Sequence, residues 1–276
     1  MEKRKIGFCV ALVLVLAQAC QSTYIAAFNI QVFGVTKMSK PHVVDILVAI
    51  LVRYDIVLIQ EIRDSSGTAI VDLLNQCNAV LGNDRFSMVI SERLGRTSSK
   101  EQYAFFYKSS VVSVTNTYQY PDPSDDFERP PYVVRFSAPF GAISDFAFLA
   151  NHVKPDDAVS EIDKMVDVYD TVASMWGLSN IILGGDFNAG CSYVRSSDWP
   201  NIRLNTQSRF MWVIHDYMDT TVASSVCPYD RFVLAGSALQ NNFFSADVYY
   251  FDDDMGLDAT TTSEVSDHYP IELRLR

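Results

Sequence analysis

Short apolar or alternating runs recur along this chain. They predict strands at Tyr24–Phe33, Asp55–Gln60, Phe86–Ser91, Tyr103–Tyr107, Val111–Tyr120, Tyr132–Phe136, Asp145–Ala150, Ile181–Leu183, Arg231–Leu239 and Tyr269–Leu275. Ile271-Glu272-Leu273-Arg274-Leu275 alternates strictly, as a strand with one wet face does. A period near 3.6 predicts helices over Pro41–Tyr54, Thr68–Leu81 and Ala158–Trp176. In the last, Ile162, Met165, Val166, Tyr169, Val172, Met175 and Trp176 form one face. Many strands with a few amphipathic helices between them imply an α/β fold of sheets packed face to face and covered outside by helices. No repeat or Pro/Gly-rich linker divides the chain, so one domain over 23–276 is the simplest organisation.

The first residues break this pattern. Lys3, Arg4 and Lys5 precede an apolar run from Ile6 to Leu16 and then Ala17-Gln18-Ala19. That run is too short to span a bilayer, and Ala-x-Ala is the small-residue pattern of a cleaved leader, so residues 1–22 read as a signal peptide cut between 19 and 22. The mature chain is therefore expected to be secreted and extracellular, with no membrane association. Losing Lys3, Arg4, Lys5 and Glu2 moves the net charge from −11 to −13. Such a chain does not hold a polyanion by overall charge, so a phosphate-bearing substrate calls for bound cations and a few local arginines. Cys77, Cys191 and Cys227 remain after the leader. An oxidising compartment allows one disulfide, and Cys191 with Cys227 is favoured because each flanks a polar loop next to a strand. Cys77 lies on an apolar helical stripe and reads as a buried thiol.

The candidate chemistry sits where strands stop. Ile181-Ile182-Leu183-Gly184-Gly185-Asp186-Phe187-Asn188 is a buried strand ending in two oxygen donors, and period-two alternation puts Asp186 and Asn188 on one side. The same segment also reads as an Asx turn that merely closes a strand. Asn29 and Glu61 each follow an apolar run in the same way. Carboxylate and amide oxygens suit a hard divalent cation. His152 follows a strand and His268 follows Asp267, whereas His42 and His215 have no acidic motif beside them. Imidazole is easily tuned to move protons near neutral pH, and each ring needs an acceptor to fix its tautomer; Glu101 and Asp230 are candidates.

Together these residues resemble a known family. Ile25-Ala26-Ala27-Phe28-Asn29-Ile30-Gln31, Gln60-Glu61-Ile62-Arg63-Asp64, Leu94-Gly95-Arg96, Asp157 to Asp163, Gly185 to Arg195 and Ser266-Asp267-His268-Tyr269-Pro270 occur in the order of the secreted deoxyribonuclease I family, within the endonuclease/exonuclease/phosphatase superfamily. The resemblance implies a four-layer α/β sandwich of two mixed β-sheets with helices outside. It also implies a monomeric, Mg²⁺- (or Mn²⁺-) and Ca²⁺-dependent endonuclease that cuts double-stranded DNA with low sequence specificity, leaving 5′-phosphate and 3′-hydroxyl ends. By the same resemblance Asn29, Glu61, Asp186, Asn188 and Asp267 hold metal or the scissile phosphate. His152 with Glu101 and His268 with Asp230 form the acid/base pairs, either ring fitting either role. Arg63, Arg129, Tyr193 and Tyr229 contact DNA. One structural calcium loop is implied at Asp219, Thr221 and Ser225, and a second, weaker one at Asp122, Asp125 and the Phe127 carbonyl.

The chain also departs from the family. Ser99 stands where a minor-groove tyrosine is usual. Pro130 replaces an acidic calcium ligand in a shortened Tyr120–Pro130 loop, and Ala223 removes a hydroxyl from the other calcium loop. Met88, Ile90 and Tyr132 differ from the actin-contacting surface of the family, so actin binding is expected to be weak or absent. No Asn-x-Ser/Thr sequon occurs. Two other readings compete: a phosphodiesterase or phosphatase for lipid or inositol head groups, and a non-catalytic binding module.

Overall fold

The computed structural model describes residues 22–139 and 141–276; the expected leader up to residue 21 lies outside the described residues. The strands are β1 Thr23–Phe33, β2 Ile56–Ile62, β3 Phe86–Ile90, β4 Gln102–Lys108, β5 Ser113–Gln119, β6 Tyr132–Ser137, β7 Asp145–Ala150, β8 Ile181–Asp186, β9 Phe210–Trp212, β10 Asp230–Ala235, β11 Phe243–Val248 and β12 Ile271–Leu275. They form two six-stranded sheets, β11-β12-β1-β2-β4-β3 and β5-β6-β7-β8-β10-β9. Both are mixed: β1 runs parallel to β2 and β7 parallel to β8, while the other pairs are antiparallel. The expected sandwich is present.

Strand periodicity decides which side chain enters which layer. In the second sheet Leu149 lies beside Leu183, and Leu183 beside Val233. This row packs on Ile162, Met165, Val166 and Tyr169 of the helix Ala158–Trp176. The alternate row, Phe148, Ile182 and Leu234, faces the other way into the main core with the first sheet. There Phe105 of β4 meets Phe148 of β7 edge-on at 5.0 Å and Phe136 of β6 at 5.9 Å. Each such buried ring contributes about 2–3 kcal/mol. Helices Pro41–Leu51 and Thr68–Leu81 cover the first sheet through Val44, Leu47, Leu51, Ile70 and Leu73.

Several expectations are corrected. Met175 is half exposed, while its neighbour Trp176 packs against the core beneath the helix. The run Arg231–Leu239 is not one strand: Gly236, at φ +93°, ends the pairing at Ala235 and a short helix Ser237–Asn241 follows. The strands β9 and β11 are too short or too polar to register as periodic runs. Cys191 and Cys227 are joined with Cα atoms 5.7 Å apart, and Cys77 is a buried thiol whose pKa burial pushes up to about 12.

Candidate active site

The ends of β1, β2, β7, β8 and β10 meet at one edge of the sandwich, and the candidate residues meet with them. Gln60, the last residue of an otherwise apolar run, is fully buried between the sheets. Its Nε2 donates to the Asn151 carbonyl at 2.9 Å, and its Oε1 accepts from the Asp186 amide at 2.9 Å. This one side chain clips the two sheets together behind the site. Gly185 makes that approach possible: at φ +131° its missing Cβ would stand 2.4 Å from the Asn151 carbonyl oxygen and 2.7 Å from Gln60 Nε2.

Beyond the clip the backbone leaves ordinary strand geometry. Gln31 and Val32 have φ of +42° and +49°, Glu61 has +61°, and the β1–β2 register shifts between Asn29 and Phe33. A β-branched residue rarely adopts this region, so the kink is held by the contacts around it. The Val32 amide donates to Glu61 Oε2 at 2.8 Å, and Asn29 Nδ2 lies 3.2 Å from Glu61 Oε1 and 3.1 Å from Asp186 Oδ2. Ser266 Oγ donates to the Asn29 carbonyl at 2.6 Å, tying the loop before β12 to the end of β1.

Around Asp186 the two histidines are arranged alike. His152 Nδ1 is 2.8 Å from Glu101 Oε2, and His268 Nδ1 is 2.7 Å from Asp230 Oδ2. Their Nε2 atoms lie 3.4 Å and 3.5 Å from the same oxygen, Asp186 Oδ2. Asp186 and Asp230 are register partners across β8 and β10, which fixes their separation through the ladder. Glu101 hangs from an isolated bridge to Leu94 and lies against Arg63 at 3.2 Å and Arg129 at 3.3 Å. Burial pushes its carboxyl upward, but His152, Arg129 and Arg63 outweigh this and hold it down at about 2. Burial pushes His268 downward, yet the carboxylates of Asp230 and Asp186 hold it well above the usual imidazole range.

Asn188 is not where simple alternation puts it. The strand stops at Asp186, and Asn188 sits at φ +48° with its amide N–H on Asp186 Oδ1 at 3.0 Å and its Nδ2 on the Val153 carbonyl at 2.9 Å. It closes an Asx turn that aims Asp186. Asp267 stands at the rim, with Oδ1 3.8 Å from His268 Nε2 and its side chain half exposed. Arg63 reaches Glu61 at 3.1 Å as well as Glu101, and Arg129 Nε donates to the His152 carbonyl at 2.9 Å, so both arginines brace the acid/base groups. Tyr193 and Tyr229 pack at 5.2 Å between centroids on the flank of the Asp186 turn, whose Phe187 amide donates to the Tyr229 carbonyl. Asp219 Oδ1 accepts from the Thr221 amide and hydroxyl and from the Cys227 amide; Thr221 Oγ1 also reaches the Ser225 carbonyl.

The donor set fits a hard divalent cation. Asp186, Asp230 and His268 bring ligand atoms within 4.8 Å of one another, and Asp230 Oδ1 is buried with no hydrogen-bond partner among the described residues. Asp230 Oδ2 and His268 Nδ1 already bind each other, which leaves Asp230 Oδ1 free, while the carboxylates of Asp186 and Glu61 converge on Asn29 Nδ2; oxygen ligands of this kind suit Mg²⁺-like ions. Gln60, Ser266 and Tyr103 were not read from sequence as site residues. Tyr103 accepts the His152 amide at 2.8 Å; its only signal was a polar atom inside a buried strand.

The sequence model of the Endonuclease/Exonuclease/phosphatase family matches residues 26–268. The chain is 46% identical to Deoxyribonuclease-1 of Equus caballus over 94% of each chain, and 47% identical to that of Bos taurus, again over 94% of each. It is 43% identical to Deoxyribonuclease-1-like 2 of Mus musculus over 91% of each. Among solved structures, a humanized D. rerio TDP2 superposes with TM-score 0.64 at 14% identity, covering 92% of this chain and 99% of that one. At that identity the likeness speaks for the fold alone.

Proposed function

Because the chain belongs to the endonuclease/exonuclease/phosphatase family, as a deoxyribonuclease I-type endonuclease that hydrolyses DNA, we propose that its two histidine–carboxylate pairs do the proton work. The observation that carries this is the convergence of both Nε2 atoms on Asp186 Oδ2, at 3.4 Å and 3.5 Å, with each Nδ1 fixed by its own acid. Water attacks phosphorus in line with the leaving 3′-oxygen. One imidazole takes the proton from water, and the other gives a proton to the 3′-oxygen as the P–O3′ bond breaks, leaving 5′-phosphate and 3′-hydroxyl ends. Either ring fits either role. Glu101 and Asp230 keep the Nδ1 proton in place, so that Nε2 faces the substrate.

Nucleases of this family depend on divalent metal. Asn29, Glu61 and Asp186, with Asn188 and Asp267 at the margin, would hold a cation, which would supply neutralisation of phosphoryl charge; Mg²⁺ or Mn²⁺ suits the donors. Asp219, Thr221 and Ser225 suit a structural Ca²⁺. Arg63, Arg129, Tyr193 and Tyr229 line the side that duplex DNA approaches, giving few base contacts and hence low specificity. The basic-apolar-Ala-x-Ala start supports secretion, and the disulfide agrees with it. Met88 and Ile90 support weak or no actin binding; Tyr132 adds nothing, because it is buried. The mature chain acts as a monomer.

A supercoiled-plasmid nicking assay tests this reading, run with Mg²⁺ plus Ca²⁺, with EDTA, with EGTA and with monomeric actin. Nicked circles that EDTA abolishes, EGTA reduces and actin leaves unchanged are expected. An intact plasmid in every metal condition, with the protein folded, would remove DNA as the substrate.

A further inference from the structure

The Tyr120–Pro130 loop offers the ligands from which a second calcium site would be built, yet a guanidinium already holds one of them, Asp125. Both oxygens of Asp122 turn inward, accepting from the amides of Asp126 at 2.9 Å and Phe127 at 3.0 Å. Asp125 faces a guanidinium: Arg96 Nε donates to its Oδ1 at 2.8 Å and Arg96 Nη2 to its backbone carbonyl. Arg96 also donates its amide to Glu128 Oε1 at 3.1 Å, and its Nη1 lies 3.9 Å from both Glu128 Oε2 and Asp157 Oδ2. Lys164 takes Asp126 at 3.3 Å and Lys154 takes Asp157 at 2.9 Å. Pro130 contributes no carboxylate.

A calcium ion needs six to eight oxygens, roughly, arranged around one point. Here a guanidinium stands among Asp125, Glu128 and Asp157, where it repels a dication and already donates to the Asp125 carboxylate and carbonyl. These ion pairs are partly exposed, so none is strong singly; together they fix one geometry. We propose that Arg96 takes the place of calcium in the Tyr120–Pro130 loop, making that loop's fold independent of calcium and confining structural calcium to the loop of Asp219 to Cys227. The last clause rests on the calcium reading of Asp219 given above.

The consequence reaches the active site. Arg96 lies on the strap between Leu94 and Glu101, whose mutual amide–carbonyl bonds of 2.7 Å and 2.9 Å suspend Glu101 beside His152. The loop's far side leads to Arg129, which touches Glu101 again. Arg96 therefore fastens both approaches to Glu101 without a metal.

The test needs no DNA. Calcium binding to the purified mature chain is measured by equilibrium dialysis and by the calcium-induced rise in Tm, for the wild type, Asp125→Asn, Asp219→Ala and Arg96→Gln. Asp125→Asn should bind the same number of calcium ions as the wild type. Asp219→Ala, or Thr221→Ala should that variant not fold, should lose the Tm rise. In Arg96→Gln, proteolytic nicking between 120 and 130 should be about fivefold faster, as expected when a local ion-pair network is lost, and equally fast with or without calcium. Loss of one calcium equivalent in Asp125→Asn, or calcium protection of the loop in either background, would overturn the assignment. A wild-type chain that binds no calcium would remove the Asp219 reading and leave the Arg96 assignment standing.

Discussion

Glu101 shows how much one side chain decides here. It is buried beside a histidine and two arginines, and its charge is the acceptor that fixes the His152 tautomer. Glu101→Gln keeps the shape and removes the charge, so kcat should fall about 10- to 100-fold, as for other groups that orient a catalytic imidazole, with KM changing little. The same residue gives a pH signature. Its folded pKa of about 2 lies below the unfolded value of 4.5, so its contribution to stability is present above pH 4.5 and is lost as pH falls through about 2. Unfolding measured at several pH values should show the gap between wild type and Glu101→Gln to be widest near neutrality and to close in acid. A constant gap would mean that the charge is not what stabilises the pocket. Glu101 was legible in sequence only as a candidate partner; its pairing with Arg63 and Arg129 was not, because both arginines read as contacts for DNA.

At the scale of elements, the site depends on how closely β2 and β8 approach across the two sheets. Gly185→Ala puts a methyl group where the Asn151 carbonyl and the Gln60 amide stand, at a φ that alanine rarely adopts. A destabilisation of about 3 kcal/mol is expected, read by denaturant unfolding, because both overpacking and backbone strain apply. A loss below roughly 1 kcal/mol would show that the clip can move aside. The strands themselves were legible, since buried runs such as Ile56 to Ile59 and Ile181 to Leu183 carry their own signal. The kink at Gln31, Val32 and Glu61 was not. Nothing local favours left-handed valine, and the conformation is fixed by Glu61 accepting the Val32 amide from another strand.

For the whole molecule, the bond between Cys191 and Cys227 closes a loop over 36 positions that carries β9 and the Asp219 turn, and it ends next to Asp230. Chain entropy for a loop of that size corresponds to about 4 kcal/mol, which for a domain of this length lowers Tm by about 10 °C on reduction. Thermal melts with and without reductant check this; coincident melts would mean that the loop is held by its hydrogen bonds alone. The acidity of the chain belongs to the same scale. At −13 for the expected mature chain, overall charge opposes DNA, so the proposed binding calls for a cation and a few arginines at the site.

The sequence by itself carried the plan of sheets covered by helices, a favoured pairing of Cys191 with Cys227, and a set of candidate polar residues at strand ends, while the roles of those residues came from the family resemblance. The plan and the candidates follow from local signals: periodicity of apolar positions and polar residues placed where strands stop. Tertiary structure alone decided that both Nε2 atoms face Asp186, that Asn188 turns back to aim its neighbour, and that Arg96 lies against the loop expected to hold calcium. Those are distances between residues far apart in the chain, set by strand register and by burial, and no local pattern encodes them.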